Sequence, residues 1–591
     1  MFVPQQLCYT CAVPYAKTRR WRPPLPVTRF PNGTMNATQF GPCCPQLDTG
    51  LYFPSESEDC LSINIFQPIN ATQGPPRPVL FWIYGGGGTY GCSAQSLPPL
   101  YNGTSLIAHT NASLAGGNVA PIVVSANYRL GILGTLYLDE LAAEDPEWPT
   151  SGNYQVLDLI QALRWVKDNI ATFGGNPNSV TLFGESAGGN IAVLVSSIAA
   201  SEGLVHRYIA ESSTADVMAA WGNITVANSR GQQLVDKLGC QGGGSLDVVA
   251  CLRSLPVMTL LESLGDLQLP TVLDSVLIKH LPRVAFKKGV ARVDAVMGAN
   301  RPDIFTTCAT SQAARQVDSA TAIAAITPVM GQWGVPESMV PKMIAAYDIT
   351  SCVAPHCCAL AFSMLYEYLF VCNAKRLLDA VGAQNRNRGY MYSFDCRPTC
   401  PGENGICQHT SEISYVFGSE STYLASGAQP GQPITCEWSP QERAFSDMVI
   451  GKWVAFASDN AGTNPPGWLP FSSSDPQVYN ITPWAAFNAY PFAENPAATK
   501  CHLWDDMELQ LEREAGLCEE CSPPQYVRPT DKDDEEDSRS SGGNNHSTGQ
   551  LVGVAVGTLL AGMLVGSIIG CIYGGRNARN PPSASLTEEG L

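Results

Sequence analysis

The sequence predicts an α/β fold, in which one large and mostly parallel sheet has helices on both of its faces. Short apolar strands alternate with long helical patterns, as they do in repeated strand–helix–strand units. The chain has 591 residues, of which 45% are hydrophobic, so it can bury a sizeable core. Large α/β enzymes reach this length with a single central sheet.

The centre of this prediction is the segment 178–200, which has the pattern of a strand, a sharp turn and a helix. Residues 180–183 are β-branched or apolar, the pentapeptide Gly-Glu-Ser-Ala-Gly follows at 184–188, and a run of small apolar residues comes next. In such a turn the serine projects alone above the sheet edge, because the flanking glycines lack side chains. The N–H of Ala187 then points to where an oxyanion would form. We interpret Ser186 as a nucleophile.

A second glycine-rich turn, at residues 85–88, directly follows an apolar run at 79–84 that we predict to be a buried strand. Four glycines permit a close approach of the backbone and leave N–H groups free, so they suit the other half of an oxyanion hole. Further strands are predicted at 121–126, 294–300 and 389–394. Apolar spacing at 153–173 predicts a long helix before the nucleophile strand.

A serine nucleophile needs a histidine base, and only seven histidines are present. His409 follows a core strand and a loop rich in Cys, Pro and Gly, and it fits this role best. His280 lies in a helix-like run, and His356 lies in a cluster of cysteines.

The histidine in turn needs a carboxylate, which in chains with this turn comes between the serine and the histidine. Asp303 lies just beyond the strand predicted at 294–300, where active-site loops gather. Asp395 is a rival by location, but it is close to His409 in sequence. We therefore predict Ser186, Asp303 and His409 as the catalytic set.

Charge and cysteine content narrow the class of protein. The formal net charge of −17 argues against nucleic-acid binding. The 21 cysteines lack the paired spacing of a structural zinc site, so we predict neither a metal nor a cofactor. Together with eight N-x-S/T sequons, the cysteines place the chain in an oxidising, glycosylating compartment. The sequons are at Asn32, Asn36, Asn70, Asn102, Asn111, Asn223, Asn480 and Asn545.

The composition changes after residue 521. Residues 522–550 are acidic and polar and are predicted to form an extended, disordered linker. Residues 551–573 are uncharged and would span about 35 Å as a helix, enough to cross a bilayer. Arg576 and Arg579 follow, so residues 574–591 are predicted to be cytosolic and residues 1–521 to form the ectodomain of a type I membrane protein. G-x-x-x-G pairs in the predicted helix would let two helices pack closely, as in a homodimer.

The N-terminal 22 residues contain no apolar run of a signal peptide. Since the other features indicate secretion, either the sequence lacks the beginning of the protein, which we expect, or export uses the distant membrane segment.

Several motifs resemble the carboxylesterase type B, or cholinesterase-like, family of α/β-hydrolases. They recur in family order from Val13 to about Asp506. The matching stretches are VPYA at 13–16, WRPP at 21–24, SEDCL at 57–61, WIYGGG at 82–87, NYRLG at 127–131, GN at 152–153, ALRWV at 162–166, NI at 169–170, FGGNP at 173–177 and FGESAG at 183–188.

The resemblance implies roles for particular residues. Gly86, Gly87 and Ala187 would supply the oxyanion N–H groups. GANRPD at 298–303 resembles the loop of the acid, although the family usually has Glu where Asp303 stands. HTSE at 409–412 and YVFG at 415–418 resemble the loop of the histidine.

The resemblance also implies disulfides. It pairs Cys240 with Cys251 and Cys372 with Cys501, and it pairs Cys60 with either Cys43 or Cys44. Seven further cysteines suggest a stapled insertion around the active-site gorge, namely Cys352, Cys357, Cys358, Cys396, Cys400, Cys407 and Cys436.

The function predicted from these features is hydrolysis of small-molecule or lipid carboxylic esters by a membrane-anchored serine esterase. The loop from Cys44 to Cys60 has no Trp, so the aromatic choline platform of the cholinesterases has no counterpart. The alternative is an adhesion or receptor ectodomain without catalysis. Such family members characteristically lose the nucleophile, whereas Ser186 and His409 are present here.

Overall fold

The computed structural model of the chain describes residues 7–30, 33–47, 55–94, 100–108, 119–242, 244–265, 267–301, 317–354, 356–384, 387–396, 398–399, 407–420, 437–459, 464–484, 488–491 and 500–517. The predicted linker, membrane-spanning helix and cytosolic tail lie outside these ranges. Asp303, Asn32, Asn111 and Asn545 lie outside them as well.

Ten strands form one central sheet, in the order β1-β4-β6-β5-β7-β8-β11-β12-β13-β14. The strands of the described residues are β1 (Leu7–Pro14), β2 (Ala16–Lys17), β3 (Leu25–Pro26), β4 (Ser62–Pro68), β5 (Arg77–Ile83), β6 (Ile122–Ala126), β7 (Gly175–Glu185), β8 (Arg207–Glu211), β9 (Trp221–Asn223), β10 (Thr271–Leu273), β11 (Asp294–Asn300), β12 (Gly389–Phe394), β13 (Gln477–Ile481) and β14 (Asn488–Pro491).

The centre of the sheet is parallel and its edges are antiparallel. Every pairing from β6 to β13 is parallel, including β5 with β7 and β7 with β8. The pairs β1–β4, β4–β6 and β13–β14 are antiparallel. The mostly parallel sheet that the sequence predicts is therefore a mixed one, with its parallel part at the centre.

Helices cover the sheet, and their bounds are α1 (Thr104–Ala108), α2 (Gly131–Thr135), α3 (Asp139–Ala142), α4 (Tyr154–Asn169), α5 (Ala187–Ser197), α6 (Ile224–Lys237), α7 (Ser245–Ser254), α8 (Val257–Leu264), α9 (Pro282–Lys287), α10 (Ser319–Gln332), α11 (Val340–Ala346), α12 (His356–Tyr366), α13 (Asn373–Gly382), α14 (Ser411–Phe417), α15 (Pro440–Ser458) and α16 (Cys501–Glu514). All residues of β6, β8 and β12 are buried. Since successive side chains of a strand point to opposite faces, both faces of the central sheet are covered.

Two strands have the predicted bounds, β11 at 294–300 and β12 at 389–394. The helix predicted at 153–173 is α4 followed by one 3₁₀ turn, Ile170–Phe173. Gly174 ends that turn with φ 82°, a left-handed conformation that glycine adopts without strain. A π-helical turn, Glu367–Cys372, joins α12 to α13 and has no counterpart in the sequence prediction.

Disulfides link distant parts of the fold. Cys240–Cys251 and Cys372–Cys501 are bonded, and Cys60 is bonded to Cys44. Cys43 is bonded to Cys92, a pair that the sequence did not suggest. Among the additional cysteines, Cys352 is bonded to Cys357 and Cys396 to Cys407, and Cys358 also takes part in a disulfide.

One helical stretch of the described residues, His356–Gly382, is long and apolar enough to cross a membrane. Of its most apolar window, 83% is buried inside the protein, so it is a core helix of the domain.

Sequons that the structure describes fall in two groups. Asn36, Asn70 and Asn102 are exposed, whereas Asn223 and Asn480 are half-buried. The side chain of Asn223 caps α6 and donates a hydrogen bond to the carbonyl oxygen of Ala515.

Candidate active site

Ser186 occupies the turn between β7 and α5, as the sequence predicts. Its backbone has φ 56° and ψ −124°, a strained conformation for a residue with a side chain. Two hydrogen bonds hold it there. The N–H of Ser186 donates to the carbonyl oxygen of Glu211 at 2.9 Å, and the N–H of Asn190 donates to the carbonyl oxygen of Ser186 at 2.9 Å. The backbone of Ser186 is therefore fixed, and the residue is only half-buried.

The glycines on both sides of Ser186 are required by close packing. A Cβ atom on Gly184 would lie 2.6 Å from the carbonyl oxygen of Ile83, and one on Gly188 would lie 2.0 Å from the same oxygen. The turn is thus pressed against the end of β5, where the glycine-rich loop begins.

This glycine loop, residues 85–91, starts beside the nucleophile. A Cβ atom on Gly85 would lie 3.2 Å from the Cβ of Ser186. Gly86 and Gly87 follow with φ 93° and 60°, conformations that favour glycine. The N–H groups of Thr89 and Tyr90 both donate to the carbonyl oxygen of Gly86, which closes the loop into a turn.

Ala187, the third predicted oxyanion donor, is the first residue of α5. Its N–H is one of the four at a helix start that have no partner inside the helix. The positive end of the helix dipole also favours negative charge there. The loop and the helix start therefore approach Ser186 from two directions.

His409 lies in the same neighbourhood. Its Nε2 atom is 3.2 Å from Oε1 of Glu185, the residue directly before Ser186. His409 is 7% exposed, and its imidazole stacks on Phe370 with 5.8 Å between ring centroids. The fold thus brings together Glu185 and His409, which are 224 positions apart in the chain.

A buried network positions the backbone around His409. The side-chain amide of Asn300 donates to the carbonyl oxygen of Gln408 at 2.6 Å, and it also donates to Oε2 of Glu412. The hydroxyl of Ser212 donates to Oε1 of Glu412 at 3.3 Å. Asn300 is the last residue of β11, so the strand end that leads toward Asp303 is bonded directly to the histidine loop.

The other residues weighed in the sequence have different surroundings. His280 lies beside Lys288, with 3.4 Å between Nδ1 and Nζ, and His356 is exposed at the start of α12. Asp395 directly follows β12 and is half-buried, and its N–H donates to the carbonyl oxygen of Ile481. Asp303 falls in residues 302–316, outside the described ranges.

Glu211 is a second carboxyl group beneath the nucleophile turn. Burial raises its pKa to about 8, the indole N–H of Trp453 opposes this from 2.7 Å, and the charge of Glu185 adds to it. At neutral pH Glu211 therefore favours its protonated form.

Comparisons with known proteins agree with this geometry. The model of the family described as "Carboxylesterase family" matches residues 11–504. The chain belongs to the carboxylesterase family. Membership makes it a carboxylic-ester hydrolase with the α/β-hydrolase fold, and both predictions are confirmed.

Individual carboxylesterases are similar over most of their length. Carboxylesterase 1D of Mus musculus is 32% identical over 525 residues, covering 80% of this chain and 85% of that protein. Carboxylesterase 1C of Rattus norvegicus is 30% identical over 509 residues, covering 80% and 85%. The crystal structure of carboxylesterase EST55 from Geobacillus stearothermophilus superposes with a TM-score of 0.66 at 26% identity, covering 85% of this chain and 96% of that one.

Sequence reasoning missed three residues at this carboxylesterase site. Glu185 could have been predicted, because it is an acid directly before the predicted nucleophile. Phe370 gave no signal, since it lies in a long apolar run. Glu412 lies three residues after His409, and this position could have suggested that its carboxylate accepts hydrogen bonds that hold the histidine loop in place.

Proposed function

We propose that the chain hydrolyses carboxylic esters through an acyl-enzyme, with Ser186 as nucleophile and His409 as base. The observation that carries this is the 3.2 Å contact of His409 Nε2 with Glu185. It brings the imidazole to the residue next to Ser186, at the point where the glycine loop begins.

In the proposed reaction Ser186 Oγ attacks the acyl carbon while His409 accepts its proton. The carbonyl oxygen becomes an oxyanion, which accepts hydrogen bonds from the N–H groups of Gly86, Gly87 and Ala187. His409 then gives its proton to the leaving alcohol. In the second half of the reaction His409 accepts a proton from water, which attacks the acyl-enzyme, and then gives that proton to Ser186 as the acid is released.

Two carboxylates assist His409 in this proposal. Glu185, 3.2 Å from Nε2, stabilises the imidazolium by its negative charge. Asp303 is proposed to hold the Nδ1 side and to fix the tautomer. The hydrogen bonds of Asn300, at the end of β11, to the histidine loop support this assignment, because Asp303 follows that strand end by three residues.

The substrate class is a small-molecule or lipid ester. Phe370 supplies an apolar wall directly against the imidazole, which suits an acyl or alcohol group without charge.

The experiment is hydrolysis of p-nitrophenyl butyrate and longer esters by the purified protein and its Ser186→Ala variant. Loss of the nucleophile is expected to lower kcat by roughly a million-fold. Ser196→Ala, a matched substitution of a buried serine in α5, the helix that follows Ser186, is expected to keep full activity. A folded protein without turnover on any ester would contradict the proposal and favour an adhesion role.

We also propose that residues 551–573 anchor the domain in a membrane, with the domain outside and residues 574–591 in the cytosol. The uncharged 23-residue run and the arginines that follow it support this. With a secretory signal peptide placed before residue 1 of both, a chain ending before residue 551 is expected in the medium and the full chain in the membrane fraction. Equal distribution of both would contradict the anchor.

A further inference from the structure

The glycine loop is fixed to a second, rigid segment of the chain, residues 42–46. This platform is itself well anchored. The disulfide Cys44–Cys60 ties it to the start of β4, and Cys43 exchanges hydrogen bonds with the backbone of Ser55 and Ser57 at 2.8 and 3.0 Å. The side-chain amide of Asn127 donates to the carbonyl oxygen of Pro42 at 3.0 Å.

Two connections run from the platform to the glycine loop. Cys43 is bonded to Cys92, the residue directly after the loop, and both cysteines are fully buried. The side chain of Gln46 pairs with the backbone of Gly91, accepting from its N–H at 2.8 Å and donating to its carbonyl oxygen at 3.1 Å. Gln46 is 2% exposed, so water does not compete for these bonds.

The two ends of the loop are thereby held together. A Cβ atom on Gly91 would lie 2.5 Å from the ring of Tyr84, the residue before Gly85. At the middle of the loop the N–H of Gly131 donates to the carbonyl oxygen of Gly88 at 2.8 Å. A glycine-rich segment has many accessible conformations when it is free, so these contacts decide where its N–H groups point.

We propose that Cys43–Cys92 and Gln46 are positioning residues for the oxyanion hole, which hold the N–H groups of Gly86 and Gly87 toward the carbonyl oxygen of the substrate. This inference rests on the proposed function. The two adjacent cysteines have different roles, since Cys44 fixes the platform to the start of β4 and Cys43 fixes the glycine loop to the platform.

The role predicts a particular kinetic pattern. An oxyanion donor acts on charge that exists only in the transition state, so its displacement lowers kcat and leaves KM nearly unchanged. Removal of a single donor costs about 10²–10³ in kcat. For a displaced loop we expect kcat to fall at least about tenfold, with KM within about threefold.

The test compares the Cys43→Ser/Cys92→Ser double variant with Cys240→Ser/Cys251→Ser, which removes a disulfide that joins the end of α6 to α7. Kinetics with p-nitrophenyl butyrate are measured well below both melting temperatures. The first variant is expected to lose kcat, and its inhibition constant for a trifluoromethyl ketone, whose adduct carries the same oxyanion, is expected to rise by the same factor. The second variant is expected to change neither quantity.

Hydrogen–deuterium exchange of residues 85–93 separates this inference from the proposed function. Faster exchange there in the first variant, and not in the second, is expected even if no ester is turned over. Unchanged exchange, or a kcat equal to that of the wild type, would overturn the inference. If the double variant does not fold, Gln46→Leu, which keeps the disulfide, is expected to show the same pattern at smaller size, and its absence there would overturn the inference as well.

Discussion

Glu211 links the nucleophile turn to the pH dependence of stability. Its carbonyl oxygen holds Ser186, while burial raises the pKa of its carboxyl group to about 8 from the usual 4.5. The folded protein therefore keeps a proton at pH values where the unfolded chain has lost it. The stability that this provides is complete below about pH 4.5 and is lost as the pH rises through about 8.

We predict that Glu211→Gln flattens this dependence, because the amide does not ionise. Between about pH 5 and 8 the wild type is expected to lose roughly 3–4 kcal/mol of unfolding free energy more than the variant. Urea unfolding at several pH values measures it. Glu337→Gln, which changes an exposed carboxyl group, is expected to leave the slope as it is in the wild type. An equal slope in Glu211→Gln would show that another group governs it.

Individual residues differ in how far the sequence revealed them. Ser186 and His409 could be predicted, because the turn and the chain order restrict the candidates to few. The partner of Cys60 could not be predicted, since Cys43 and Cys44 are adjacent and either reaches the same region. The structure bonds Cys44 to Cys60 and leaves Cys43 for the glycine loop.

At the scale of elements, the strand–turn–helix unit around Ser186 depends on the contact of Gly188 with β5. We predict that Gly188→Ala destabilises the protein by roughly 3 kcal/mol and lowers kcat, because the added methyl group would meet the carbonyl oxygen of Ile83 at 2.0 Å. Thermal unfolding and ester hydrolysis measure the two effects.

Gly331→Ala is the matched control for this substitution. Gly331 lies in α10, where an added Cβ has no neighbour within 4 Å. It is expected to be neutral or to stabilise by about 0.5–1 kcal/mol. Similar behaviour of the two variants would mean that the turn tolerates displacement.

Helices and strands could be predicted where the apolar pattern of the sequence fits only one type of secondary structure. The buried strands β11 and β12 are short apolar runs, so their bounds followed from the sequence. The π-helical turn Glu367–Cys372 did not, because its apolar run fits an α-helix equally well. That turn carries Phe370, which is why the stacking on His409 was missed.

At the scale of the whole molecule, the site exists because separate strands end at one edge of a parallel sheet. Ser186 follows β7, the glycine loop follows β5, and the histidine loop is bonded to the end of β11. These strands are close in the sheet order but far apart in the chain. The pattern of strands and helices predicted that these loops meet at one edge of the sheet. The distances between their residues could be read only from the folded structure.

The most direct test of the central role of Ser186 is covalent labelling with diisopropyl fluorophosphate. In this reaction the serine Oγ displaces fluoride from phosphorus, and the base takes the serine proton. We predict one phosphoryl group per chain, located on Ser186 by peptide mass spectrometry, and none in the His409→Ala variant. No labelling of the folded protein, or a label on another serine, would contradict the account.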